Sequence, residues 1–382
     1  MFLNIFSYLK KKRCLVCGKE SIIISSTIGV CADCLRERPE EALRIAMRAH
    51  RESKSKFGLP SEPPRDPDGV LCKGCALQCK IGNGKIGYCG LVKNVDGRLI
   101  KLAGTPDKGL LEWYYDPLPT NCVADWVCPG CTGAGYPKYS YSRRGPEYGY
   151  YNLAVFYGAC NLDCLFCQNW QYRKLTRSLS PLISSKELAS HVTPKVSCIC
   201  YFGGDPSPQM SHAISASIIA LERKKEGILR ICWETNGLMN RGILKTAVEL
   251  SLESGGIVKF DIKAWNPAIY KALTGVDNKA LWDNIKTAAN YISERKDPPL
   301  IVASTLLVPG YVDVNEVRAI AEFLASIDRD IPYSLLAFHP DYMMRDLPPT
   351  SYKHAKECVK AAREAGLKNV HIGNIWLLSQ YY

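Results

Sequence analysis

Hydrophobic and polar positions divide the chain into two unlike parts. From about residue 153 onward, short apolar runs rich in β-branched and aromatic residues recur at Leu153–Tyr157, Val196–Phe202, Leu229–Glu234, Ile257–Ile262, Leu300–Val308, Tyr333–Phe338 and Asn369–Ile372. Between them the apolar positions take a helical period, as in 211–225 (SHAISASIIALERKK), 241–253, 279–295, 314–327 and 351–365. Strands alternating with helices of this length predict βαβ units on a parallel sheet. The seven strands and six intervening helical regions fit an α/β fold, a partial (β/α)6-type TIM barrel. Its chemistry belongs at the C-terminal ends of the strands.

The first part shows no such alternation. Phe2, Ile5, Phe6 and Leu9 share one helical face, and Lys10–Arg13 follow. Such a segment can lie on an anionic membrane surface or dock on the protein's own core. Residues 38–50 (RPEEALRIAMRAH) predict a short helix, and 51–69 (RESKSKFGLPSEPPRDPDG) read as an exposed linker. Residues 132–152, rich in Gly and Tyr, read as a long loop over or beside the active face. The expected organisation is an N-terminal amphipathic segment and metal knuckle over 1–50, a linker over 51–70, a cysteine-rich region and loop over 71–152, and the barrel over 153–382. No internal repeat or low-complexity segment is present.

Composition changes this picture at one point. Of 382 residues 47% are hydrophobic and 23% charged, which excludes global disorder and fibrous repeats. A chain this long buries its core without disulfides, yet it carries 18 Cys. No apolar run approaches the ~18 residues of a membrane span. The order of apolar and basic residues at the N-terminus is the reverse of a secretory signal. The expectation is therefore a cytoplasmic protein, with the N-terminal segment able to rest on the inner membrane face. In a reducing compartment these cysteines point to metal or catalysis rather than disulfides. The net charge of +12 suits phosphate, lipid headgroups or an acidic protein partner, but no nucleic-acid-binding module is visible.

The cysteines fall in groups. Cys160-x3-Cys164-x2-Cys167 directly follows the first barrel strand, where a loop opens onto the catalytic face. Three thiolates so spaced can hold three irons of a [4Fe–4S] cluster and leave the fourth open. A zinc knuckle, or a four-cysteine cluster borrowing a distant ligand, is the alternative. Cys14, Cys17, Cys31 and Cys34 form CxxC-x13-CxxC, the spacing of a ribbon or rubredoxin-like knuckle for Zn2+ or a single iron. Four thiolates leave no open position, so a structural or docking role is expected there. Cys198, Cys200, Cys232 and Cys358 read as buried small hydrophobes.

The segments NLAVF, GACNLDCLFCQN, YFGGDPSPQ, WETNG, KFDIKAWN, YKALTG, TLLVPGYVD, LAFHPDYMMRDLPPT and AREAGLKNVHIGN occur in this order along the chain. Together with the cysteine spacing, they resemble the radical SAM superfamily. The particular likeness is to the branch containing pyruvate formate-lyase activating enzyme and the AmmeMemoRadiSam proteins.

The resemblance implies that Cys160, Cys164 and Cys167 hold a cluster whose open iron chelates S-adenosylmethionine. One electron then yields a 5′-deoxyadenosyl radical. It further implies that Gly203, Gly204, Asp205 and Pro206 correspond to the GGEP-type motif that receives the methionine amino group, with Asp205 in place of the usual Glu. Glu234, Thr235, Asn236, Asp261 and Lys263 match positions flanking methionine and ribose. Phe166 matches an aromatic beside the adenine, and His339 a late-barrel histidine facing the cofactor or serving only the fold. Cys75, Cys79 and Cys89 match a cysteine stretch of AmmeMemoRadiSam relatives. Cys72 completes a set for an auxiliary [4Fe–4S] cluster or a second zinc ion. Cys122, Cys128 and Cys131 lie in an insertion that simpler relatives lack. They could hold another cluster or share a site with the 72–89 group.

Three functions are weighed. The first is a radical SAM oxidoreductase forming C–C or C–X bonds at an unactivated C–H bond, with auxiliary clusters assisting, on a substrate such as an archaeal-type lipid chain. The second is an activating or modifying enzyme for a protein partner, like the glycyl-radical activases. The third is a non-catalytic metal-ribbon protein. An anaerobic setting and an electron donor such as ferredoxin or flavodoxin go with the first two. No residue is assigned a catalytic role.

Overall fold

A computed structural model describes residues 9–382. The amphipathic face at Phe2, Ile5 and Phe6 lies outside the described residues. At the front, Lys12–Arg13 pairs antiparallel with Glu20–Ser21 around the first cysteine knuckle. A short helix, Ala32–Glu37, and then α1 (Pro39–Ser55) follow. Helix α1 begins with Pro at its first turn and Glu40 and Glu41 beside the positive end of its dipole. It runs five residues further than the periodicity predicts.

The body is one nine-stranded sheet. Its strands are β1 (Gly109–Pro117), β2 (Tyr151–Tyr157), β3 (Val196–Gly203), β4 (Arg230–Thr235), β5 (Val258–Asp261), β6 (Ile301–Leu307), β7 (Tyr333–Ala337) and β8 (Val370–Gly373), with the short Leu182–Ile183 at the outer edge. Strands β2 to β8 pair parallel in sequence order. These are the seven strands expected from the sequence, and the fold is the expected α/β partial barrel. Strand β1 runs antiparallel to β2 over seven residue pairs, with Leu111 opposite Tyr157 and Pro117 opposite Tyr151.

Helices Met210–Arg223, Arg241–Ser254, Lys279–Ala289, Val314–Ile327 and Tyr352–Glu364 lie where the period placed them. The sequence itself starts three of them: Asn240 caps Arg241–Ser254 by accepting from Gly242 N and Ile243 N, Asp313 caps Val314–Ile327, and Ser351 caps Tyr352–Glu364. A further helix, Pro267–Thr274, lies between β5 and β6 and packs on α1.

The region before β2 closes the barrel in an unexpected way. Residues 118–131 run through the lumen: Trp126 Nε1 donates to Ser334 Oγ of β7, and Cys122 and Ala124 pack on Ile257 and on Val302 of β6. Residues 132–150 do not lie over the catalytic face. Glu147 pairs with Arg230 at the start of β4, the Tyr141 hydroxyl accepts from Ile228 N, and Gly135 N donates to Asp297 ahead of β6. The loop therefore covers the N-terminal mouth, opposite the C-terminal ends. Its Tyr pattern serves packing contacts there, such as the stacked Tyr141–Tyr150 pair.

Candidate active site

The loop after β2 carries Cys160, Cys164 and Cys167, and all three line a cavity of about 440 Å3 at the C-terminal ends of the strands. The loop's shape is set from outside the cavity. Asp163, fully buried, accepts from Ser53 Oγ (2.7 Å) and Arg173 (2.8 Å), and lies 2.9 Å from His50 Nδ1. Burial opposes its charge, but the His50 hydrogen bond and the cations Arg173 and Lys54 hold the carboxyl well below the usual range. Asp163 N and Leu165 N donate to Thr274 and Leu273 at the end of the Pro267–Thr274 helix.

The GGDP loop at the end of β3 is stitched to the same segment. Gly204 N donates to Tyr157 O (2.8 Å) and Asp205 N to Ala159 O (2.9 Å). A Cβ on Gly203 would stand 2.2 Å from Tyr157 N, and one on Gly204 2.2 Å from Ala159 O, so only glycine permits this approach. Asp205 accepts from Ser207 N (2.7 Å), Asn236 N (2.7 Å) and Thr235 Oγ1 (3.2 Å). Burial raises its pKa against these donors. Asp205 thus ties the ends of β3 and β4 together. Asn236 reaches further, donating to Asn161 Oδ1 at 2.8 Å and lying 3.8 Å from Cys160 Sγ.

On the facing wall Asp261 and Lys263 form an ion pair, and Lys263 lies over the Phe166 ring. Asp261 Oδ1 is buried without a hydrogen-bond partner, and Glu234 Oε2, also buried, has only the Lys259 ammonium 3.6 Å away. Burial pushes the Cys164 thiol up to about 12 and raises Cys160 further, Asp205 adding to the latter. Three thiols on one wall, two glycines that let the GGDP loop close onto the cysteine loop, and the Asp261 and Glu234 carboxylates form a donor set that fits a cluster with a zwitterionic ligand.

Gly203, Gly204, Asp205, Thr235, Asn236, Asp261, Lys263 and Phe166 all line this cavity, whereas Pro206 and His339 do not. The histidine facing it is His371 on β8, stacked on Trp126 at 5.0 Å. Asn121, Cys122 and Asp125 of the insertion form its floor, and Ile375 and Trp376 stand at its wall, 62% and 69% exposed. Sequence reasoning missed His371, Asn121, Asp125, Ile375 and Trp376, and it singled out Cys122 only as an auxiliary ligand. The alternation Val370–His371–Ile372 in a late strand was the available signal for His371.

The other cysteines separate into distinct places. Cys14, Cys17, Cys31 and Cys34 bring their sulfurs within 4.8 Å of one another, with Cys14–Cys34 and Cys17–Cys31 both at 3.8 Å. Four thiolates about 2.3 Å from one tetrahedral ion are separated by about 3.8 Å, so this set suits a single metal ion. Cys72, Cys75, Cys79 and Cys89 are electrostatic neighbours, and burial pushes Cys89 up to about 12. Their segment packs on the loop after β4, where Ala76 N donates to Leu238 O, and Cys75 meets the Asn161 side chain. The set therefore borders the loop of Cys160, Cys164 and Cys167. Cys122, Cys128 and Cys131 stay apart from it, inside the lumen.

The molecule is thus a parallel partial barrel with a three-cysteine loop at the C-terminal mouth of its strands. Residues 154–324 match the family model of the Radical SAM superfamily. An uncharacterized protein of Methanocaldococcus jannaschii is 26% identical over 325 residues, 81% of this chain and 83% of that protein. The isethionate sulfite-lyase activating enzyme of Oleidesulfovibrio alaskensis is 27% identical over 138 residues, 36% of this chain and 40% of that enzyme. A solved domain of pyruvate-formate lyase-activating enzyme from Bacteroides vulgatus is 20% identical, covers 46% of this chain and 98% of its own, and has a TM-score of 0.36.

Proposed function

We propose that this chain cleaves S-adenosylmethionine reductively and abstracts a hydrogen atom from an unactivated C–H bond of a substrate admitted to the cavity. The convergence of Cys160, Cys164 and Cys167 with Gly203–Asp205, Thr235, Asn236 and Asp261 on one cavity carries this reading. The three cysteines would hold the [4Fe–4S] cluster, which with S-adenosylmethionine bound supplies the 5′-deoxyadenosyl radical. Gly203 and Gly204 let their loop pack directly on the backbone of Tyr157 and Ala159, Asp205 and Asn236 brace the two loops around the cavity, and the Asp261–Lys263 pair presents charge beside the cysteine loop. Phe166 offers a ring face to an adenine.

Auxiliary clusters at the two further cysteine sets, and Zn2+ or iron at the knuckle, suit an enzyme that forms a bond after the abstraction. Exposed Ile375 and Trp376 at the cavity favour a substrate with an apolar portion, such as a lipid chain. The basic balance suits an acidic one-electron donor such as ferredoxin or flavodoxin. The partial likeness to an activating enzyme favours a second reading, in which the hydrogen is taken from a protein partner.

Anaerobically reconstituted protein with dithionite and S-adenosylmethionine should release 5′-deoxyadenosine. Alanine at Cys160, Cys164 and Cys167 together should abolish it, and surviving production overturns the assignment. Deuterium passing into 5′-deoxyadenosine from deuterated lipid supports the first substrate class. Passage from a deuterated protein fraction supports the second.

A further inference from the structure

Six cysteines meet beneath the floor of the cavity. Cys198 and Cys200 stand two residues apart on β3 and so share one side of the sheet, and Cys232 of β4 is the register partner of Cys200. They pack with Cys131 and Cys128 of the insertion. Cys128 faces Cys131 and Cys198, while Cys200 faces Cys198 and Cys232. Cys122 borders the same space. The parity that turns Cys198 and Cys200 inward also turns Phe202 to the upper cavity, so the thiols fill a lower layer of the lumen.

A barrel lumen is ordinarily filled by branched apolar side chains. This layer instead holds two buried cations. Arg230 is neutralised by Glu147, with two bonds of 2.8 Å. Lys259 Nζ lies 3.1 Å from Cys122 Sγ and 3.6 Å from Glu234. Asn152 Oδ1 accepts from Cys200 N (3.0 Å) and faces Cys198 Sγ (3.6 Å), while its Nδ2, fully buried, has no hydrogen-bond partner. Buried Cys alone is a good small hydrophobe. A buried ammonium and an unpaired amide donor among neutral thiols are costly. Anionic sulfur ligands would offset both, with thiolate charge beside Lys259 and sulfur acceptors beside Asn152.

We propose that Cys122, Cys128 and Cys131 share one iron–sulfur centre with Cys198, Cys200 and Cys232, its four terminal thiolates drawn from both the insertion and the strands. The proposal deepens the auxiliary-cluster part of the reading above and supplies the ligand that three insertion cysteines lack for a [4Fe–4S] cluster. A cluster suits the site better than one ion, because the sulfurs are distributed over two strands and a separate segment rather than gathered as in the N-terminal four. Cys122 lines both the upper cavity and this layer, so the centre stands one side chain from the substrate chamber.

The test is iron and sulfide quantification with Mössbauer spectroscopy on anaerobically 57Fe-reconstituted full-length protein. Alanine at Cys198, Cys200 and Cys232 should remove about four irons per chain. Alanine at Cys122, Cys128 and Cys131 should remove the same number, and all six together no more than either set. Unchanged iron in the strand variant, or additive losses, overturns the shared site. A converse variant does not depend on the lumen substitutions folding: with Cys72, Cys75, Cys79, Cys89, Cys160, Cys164 and Cys167 replaced by Ala, about four irons with a [4Fe–4S] doublet should remain. Iron falling to one or none overturns the proposal. The S-adenosylmethionine-induced change in the cluster's EPR signal, retained in the strand variant, separates failure of this site from failure of the radical chemistry.

Discussion

Asp163 stands between two cysteines of the cluster loop, yet its carboxylate serves the far side, where Ser53, His50 and Arg173 hold it with no exposure to water. Removing one partner from such a network leaves the others' charge uncompensated. Asp163→Asn should therefore cost about 3–5 kcal/mol, read as a lowered denaturation midpoint. It should also weaken retention of the loop's cluster. The sign with pH follows from the depressed carboxyl. The carboxylate's contribution is fully present above the unfolded value of about 4 and is lost as pH falls through the lower folded one. The stability gap between wild type and variant should thus be constant near neutrality and narrow below about pH 4. A gap that widens toward acid would show that Asp163 is not charged in the fold.

At the scale of elements, the lumen segment 118–131 and the loop 132–150 form a plug, and Glu147 is its anchor. It accepts from Arg230 twice, from Ser140 Oγ and from Tyr141 N. Burial opposes its charge, but Arg230 together with the Tyr141 N and Ser197 hydrogen bonds holds the carboxyl low. Glu147→Gln keeps the shape and strands the guanidinium, so it should cost about 3–5 kcal/mol and raise protease cleavage within 118–150. An unaltered cleavage pattern would mean that the plug is held elsewhere.

The barrel strands were legible because each is a short, two-face-buried apolar run between helical periods. Strand β1 was not. In GLLEWYYDP apolar residues sit on both faces at its start, and its partner β2 lies some forty residues on across the insertion. Likewise, the i, i+2 spacing of Cys198 and Cys200 told that they share a face, but not what faces them. Their neighbours, Cys128 and Cys131, come from a segment about 70 residues earlier, and only the tertiary fold sets that distance. His339 and His371 illustrate the same limit: the first follows β7 and the second lies within β8, and only the folded sheet shows which one meets the cavity.

Across the whole molecule, α1 links three cysteine groups. At its start lies the knuckle, docked on the barrel through Arg36 to Asp313 (2.8 Å) and Glu316 (3.2 Å), through Ser25 and Ser26 to Asp346, and through the Tyr311 hydroxyl donating to Val30 O. Near its end His50 and Ser53 hold Asp163 in the cluster loop, and Lys54 donates to Tyr88 O beside Cys89. Burial lowers Lys54 to about 8, against the nearby Asp163 carboxylate. A small segment built on four thiolates draws its folding energy from the metal. Its loss should therefore free the start of α1 while the end stays pinned by Asp163. Cys17→Ser, at the exposed member of the four, tests this with the least disturbance of packing. Metal content at the knuckle should fall, and amide exchange across 12–45 should rise by at least tenfold. Release of 5′-deoxyadenosine should fall only several-fold, because the barrel keeps its own cysteines. Undiminished protection in 12–45 would show that the docking contacts alone hold the knuckle. Complete loss of 5′-deoxyadenosine with the barrel still folded would show that α1 transmits the knuckle's state to the cluster loop rather than merely bracing it.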